Sequence, residues 1–121
     1  MKCRRRKIGS ARFDVNVDVQ FSTLNAKGVE GIGVVRNLSM RGALIEAHAL
    51  LKTGDQLTLD VTLPNQVDLL RIPSVAVRWV RGHHMGVEFL KLDSQTSRQL
   101  MMYLTGIHIA AWAERDAIHT R

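Results

Sequence analysis

From Phe13 to Phe21 apolar and polar residues alternate without a break. Phe13, Val15, Val17, Val19 and Phe21 take one side, and Asp14, Asn16, Asp18 and Gln20 take the other. Successive side chains of a strand point to opposite faces, so the segment predicts a half-buried strand with a core face and a water face. Turn-forming residues over 25–28 lead to a second β-type run over 31–39, and a third, over 43–47, follows Met40-Arg41-Gly42. After the turn marked by Gly54-Asp55, Leu57, Leu59, Val61 and Leu63 alternate with Thr58, Asp60 and Thr62, and Pro64 closes the run. A longer run over 69–80 is the fifth strand, in which the spacing puts Val75, Val77 and Trp79 on one face. Pro73 lies inside it and lacks the N–H a ladder needs, which implies a sheet edge or a bulge. Gly82-His83-His84 then turns the chain into a last strand over 85–90.

At Asp93-Ser94 the period changes. Either residue can cap a helix, and Leu100, Leu104, Ile107 and Ala111 follow at spacings of three and four, which predicts a helix over 95–119, with Gly106 as a place for it to bend. Six short strands with polar faces turned out, then one terminal helix, point to an all-β fold with a C-terminal helix: a small six-stranded antiparallel barrel packed by that helix. The helix carries further large apolar residues, Met101, Met102, Tyr103, Ile109 and Trp112, more than one stripe against one barrel accounts for. Either the helix folds back and buries most of them on the barrel, or some stand exposed as a surface for a homodimer or for a protein effector.

With 121 residues, 45% of them hydrophobic, the chain suits one compact domain. It divides into a flexible basic arginine arm (1–12), a barrel (13–92) and the helix (93–121). Net charge is +6, but the arm holds Lys2, Arg4, Arg5, Arg6 and Lys7 with no acid, leaving 12 basic against 11 acidic residues from position 8 onward. A broad basic face would favour nucleic acid, whereas a short guanidinium-rich arm on a nearly neutral body suits any small or large anion, and composition alone does not choose between them. Nucleic acid bound through the arm is the least favoured partner. The single Cys3 excludes an intramolecular disulfide, and no apolar run reaches the roughly 20 residues a membrane helix needs. The expectation is a cytoplasmic protein without a membrane span.

The segment Arg36-Asn37-Leu38-Ser39-Met40-Arg41-Gly42-Ala43 contains Asn-x-Ser-x-x-Gly at a strand-to-strand turn, with Asn37 and Ser39 on the same face. An amide and a hydroxyl there can bond a base edge, and Gly42 allows either a positive φ or close approach of a flat ring. The same three residues can equally do no more than satisfy their own turn, with Gly42 supplying the φ angle.

The pattern resembles the second signature of PilZ domains, written Asp/Asn-x-Ser-x-x-Gly. PilZ chains also begin with Arg-x-x-x-Arg just before a strand similar to residues 13–21, and end with a strand resembling Gly86-Val87-Glu88-Phe89 followed by a helix. The resemblance runs from about Arg4 to Leu104. It implies a six-stranded barrel that binds the bacterial second messenger cyclic di-GMP, with arginines from the arm wrapping over the ligand against the Asn-x-Ser-x-x-Gly face. Arg12 takes the place of the second motif arginine, while Ile8 stands four residues upstream, where the first belongs. Two extra linker residues among Gly9-Ser10-Ala11 let Arg6 serve instead, with Arg5 beside it stacking on or pairing with a second guanine. The ligand set implied is Arg5, Arg6, Arg12, Asn37, Ser39 and Gly42, with Arg4, Arg36 and Arg41 as accessory cations. The alternative within the family is an adaptor that binds no cyclic di-GMP and works through protein contacts.

The residues give no support for catalysis or for a cofactor. Of His48, His83, His84, His108 and His119 only His83 and His84 are adjacent, neither has a partner at the spacing of a structural zinc site, and they read as turn residues; no motif positions a base for Cys3.

Overall fold

The computed structural model of the chain describes residues 11–24, 28–64 and 69–119. Six strands, β1 (Phe13–Thr23), β2 (Glu30–Leu38), β3 (Gly42–Ala47), β4 (Gln56–Val61), β5 (Leu70–Arg81) and β6 (His84–Lys91), are followed by one helix, α1 (Ser94–His119). The strands close into an antiparallel barrel in the order β1-β2-β3-β6-β5-β4.

The alternation predicted for β1 is what lets it close. Val17, Val19 and Phe21 point inward and meet Val35 and Leu38 of β2, Ile45 of β3 and Leu57, Leu59 and Val61 of β4, all buried. Fully burying one such side chain contributes about 1.5–3 kcal/mol, so this interior is the main source of stability.

Closing so small a barrel bends its strands, and the bends fall at register shifts. Pro73 sits at one of them. Leu57 pairs with Val75 and Leu59 with Ile72, so Pro73 and Ser74 together oppose the single Thr58. The Thr58 hydroxyl donates to the Pro73 carbonyl at 3.1 Å. Of the two expectations for this proline, the bulge holds. A second shift corrects the reading that Val75, Val77 and Trp79 share a face. Val77 pairs with Val87 but Trp79 with Gly86, one step on instead of two. Beyond this bulge Trp79 emerges on the outer surface, 40% exposed, while Val75 and Val77 remain in the core.

Asp93 caps α1, its Oδ1 accepting from the Thr96 N–H at 2.7 Å, and this bond holds the carboxyl below its ordinary range. Leu100 and Leu104 insert into the core from the helix, with Tyr103 and Ile107 packed beside them, and the Thr96 hydroxyl reaches the Arg71 carbonyl of β5 at 3.4 Å. The helix runs on through Gly106. Met102 and Ile109 are exposed on it, whereas Met101 is half-buried. The side chains of Ala111 and Trp112 lie outside the described residues. Among the described residues no helix is long and apolar enough to cross a membrane.

Candidate functional site

The β2–β3 connection is built by Ser39. Its N–H donates to the Gly42 carbonyl at 2.9 Å, and its hydroxyl oxygen accepts from the N–H groups of Arg41 and Gly42, both at 3.1 Å. The same hydroxyl lies 3.3 Å from the Gly42 carbonyl, to which it donates. Ser39 is buried, and its side chain is first of all the internal brace of the turn.

Gly42 does not have a positive φ; among the described residues the glycines that do are Gly28, Gly54 and Gly82. What excludes a side chain is β6, because a Cβ on Gly42 would collide with the backbone carbonyl of Val87. The φ angle, one of the two expectations for this residue, therefore does not account for the glycine. Close packing of β3 on β6 does.

Along these strands the outer surface is hollowed into an open concavity of about 300 Å³, at the low end of the range for small-molecule sites. Arg12 enters it from the chain just ahead of β1, Asn37 and Ser39 from the end of β2, and Arg41 and Gly42 from the start of β3. The opposite wall comes from the β5–β6 hairpin, with Arg78, Trp79, Gly86 and Glu88. Part of the wall carries no side chains. The indole of Trp79 lies over Gly86, where a Cβ would run into its Nε1.

Of the residues expected to form the site, Arg12, Asn37, Ser39, Gly42 and Arg41 are thus brought together around one hollow. Arg36 is not. It is the extra residue where β2 shifts register between Val35 and Asn37, and its guanidinium turns the other way, donating to Glu46 Oε1 at 2.8 Å and to Asn16 Oδ1 at 2.6 Å. That contact holds the Glu46 carboxyl below its ordinary range. Arg4, Arg5 and Arg6 lie outside the described residues.

Two charges in the hollow come from residues with no place in the expected set. Arg78 Nε donates to Glu88 Oε1 at 2.7 Å, with both side chains about half exposed. Glu88 faces Gly42 across the β3–β6 ladder. Trp79 was likewise missed as a surface residue. The usable signal is the polar character of Arg78 and Glu88 within otherwise apolar strands, but only the pairing of β6 with β3 brings them to the Asn37 turn.

Electrostatically, Arg12 and Arg41 make no ion pair among the described residues, so the hollow offers two uncommitted guanidiniums. Guanidinium binds phosphate oxygens bidentately and stacks on planar rings, and the indole supplies an aromatic surface that Arg81 already attends, 5.6 Å from the ring centroid. A flat, anionic, hydrogen-bonding ligand matches this set of groups. Elsewhere the rings of His48 and His83 lie 3.9 Å apart between the β3–β4 and β5–β6 connections, and among the described residues no three His, Cys, Asp or Glu side chains gather as metal ligands.

A family model for the PilZ domain matches residues 4–106. The chain belongs to the PilZ domain family. PilZ domains are a family of cyclic di-GMP receptors that work as ligand-binding or adaptor domains. The PilZ domain of CeSA from a cellulose synthesizing bacterium superposes with a TM-score of 0.64 at 19% identity, covering 82% of this chain and 99% of that one. The Bacillus subtilis inhibitor of motility, MotI/DgrA, superposes with a TM-score of 0.66 at 20% identity, covering 89% of this PilZ chain but only 53% of its own. Both likenesses are of fold. No match is found among curated proteins.

Proposed function

We propose that this PilZ domain is a cyclic di-GMP receptor whose ligand occupies the hollow between Arg12, the Asn37–Gly42 turn and the β5–β6 hairpin. One observation carries the reading. Arg12, Asn37, Ser39 and Gly42, the motif residues that fall within the described part of the chain, converge with Arg41 on a single surface depression. The ligand pairs two phosphates with two guanines, and the groups present answer both: guanidinium for phosphate and for the guanine O6/N7 edge, amide for a base edge, indole for a ring face.

In this reading Arg12 holds phosphate and guanine from one side. Arg6 joins it from the arm, and Arg5 stacks on or pairs with a second guanine. Asn37 and the Ser39-braced turn form the opposing wall. Ordering of the arm changes the surface presented to a protein effector, and that is the signal. The domain performs no reaction and needs no cofactor.

Titration calorimetry with cyclic di-GMP tests the proposal directly. Saturable heat that Arg12→Ala weakens supports it. Absence of heat up to about 100 μM ligand, a binding free energy weaker than roughly −5.5 kcal/mol, would leave the adaptor role instead. Competition by a polyanion with a steep salt dependence and no preference for guanine would mean diffuse charge on the arm.

A further inference from the structure

A carboxylate in a hollow built to hold a dianion needs a reason. Glu88 is the one acid among the described residues that line this site, which otherwise carries Arg12, Arg41 and Arg78. If it did nothing for the ligand, its charge would oppose the phosphates and partly cancel Arg78. Its geometry points to a different use. The Arg78 Nε bond engages one oxygen, Oε1, and fixes the direction of the carboxylate on the rigid β6 strand, opposite Gly42. An ionised carboxylate can accept about four hydrogen bonds, and this one has its second oxygen and further lone pairs uncommitted.

Cyclic di-GMP is acceptor-rich on its phosphates, on its ribose rings and on the O6/N7 edges of its bases. Its concentrated donor face is the Watson–Crick edge of guanine, where N1–H and the 2-amino group point the same way. Two parallel donors match the two oxygens of a carboxylate, as the nitrogens of a guanidinium do. Adenine presents an acceptor at N1 in the corresponding place, so the same carboxylate would repel it.

We infer that Glu88, held in direction by Arg78, reads the Watson–Crick edge of a guanine and makes this site selective for guanine over adenine and hypoxanthine. Glu88 is then a specificity-determining residue and Arg78 a positioning residue. The inference rests on the proposed receptor function, and it reverses the sign of the effect that charge alone would give.

The test is Glu88→Gln, titrated with cyclic di-GMP, with its inosine analogue cyclic di-IMP, which lacks the 2-amino group, and with cyclic di-AMP. The substitution keeps the shape but turns one acceptor into a donor facing N1–H or the amino group. Cyclic di-GMP affinity should fall about tenfold or more, and the preference for it over cyclic di-IMP should shrink toward unity. Arg78→Ala should lose part of that preference while Glu88 is intact. Unchanged or tighter binding of cyclic di-GMP by Glu88→Gln overturns the inference, because that is how a bystander charge behaves. Glu88→Ala provides the same reading should the glutamine variant fold poorly. Arg12→Ala separates the two levels: loss of binding there with indifference at Glu88 rejects base reading alone, and a wild-type protein that binds none of the three ligands rejects the receptor function and this inference with it.

Discussion

Arg36 and Arg41 bracket the same turn, five positions apart, and both stood as accessory cations around Asn37 and Ser39. They end in opposite situations. Arg36 occupies the β2 bulge and is tied to Glu46 and Asn16 on the neighbouring outer face. Arg41 leaves the braced turn toward the hollow, and its guanidinium has no ion-pair partner among the described residues. The difference shows that nearness to a motif in sequence does not assign a charge to a site. One extra residue in its own strand and one well-placed carboxylate on the neighbouring strand decide where a guanidinium is committed.

The contrast between a committed and an uncommitted face can be broken or sharpened by substitution. The largest effect is expected at Gly42, on which both β3–β6 packing and the shape of the hollow depend. Gly42→Ala forces a Cβ against the Val87 carbonyl and should cost on the order of 1–3 kcal/mol, a fall in Tm of roughly 5–15 °C, together with most of the ligand affinity. An unchanged melt would show that β3 and β6 can part there without consequence. Next, Arg12→Ala should weaken cyclic di-GMP at least tenfold, about 1.4 kcal/mol, measured by calorimetry. An equal loss from Arg4→Ala would make the arm a diffuse charge. Ser39→Ala removes the oxygen that receives the Arg41 and Gly42 N–H groups, so a smaller loss of affinity, roughly threefold to tenfold, should come with a lower Tm. The smallest and most pointed pair is Arg41→Ala against Arg36→Ala in one titration. The first should weaken binding by about threefold. Arg36→Ala should leave affinity as it is, and a matching loss there would erase the distinction between the two faces.

Much of the fold is legible in local pattern because a half-buried strand must alternate. Residues 13–21 and the run from Leu57 to Val61 show their inner faces directly, and Asp93 announces the helix it caps. Pro73 signals a bulge for a covalent reason, its missing N–H. Trp79 misleads because the alternation that places Val75 and Val77 inside is broken at Arg78, and that break is set by how β5 pairs with β6. The site divides along the same line. Asn37, Ser39 and Gly42 are close in sequence and could be picked out together, but the reason for Gly42 lies in Val87, forty-five positions away. Arg78 and Glu88 reach the hollow only through the ladder, so no spacing rule along the chain could have joined them to Asn37.

Every strand of the ring already has a neighbour on each side. Over the paired stretches a partner that recruits by laying its own backbone alongside an open sheet margin has no vacant lane to join. In the proposed reading, communication with a protein effector then passes through side chains standing off the cylinder wall, through α1 or through the ordered arm, so a downstream protein can be tuned or lost by surface substitutions that leave the folded scaffold intact.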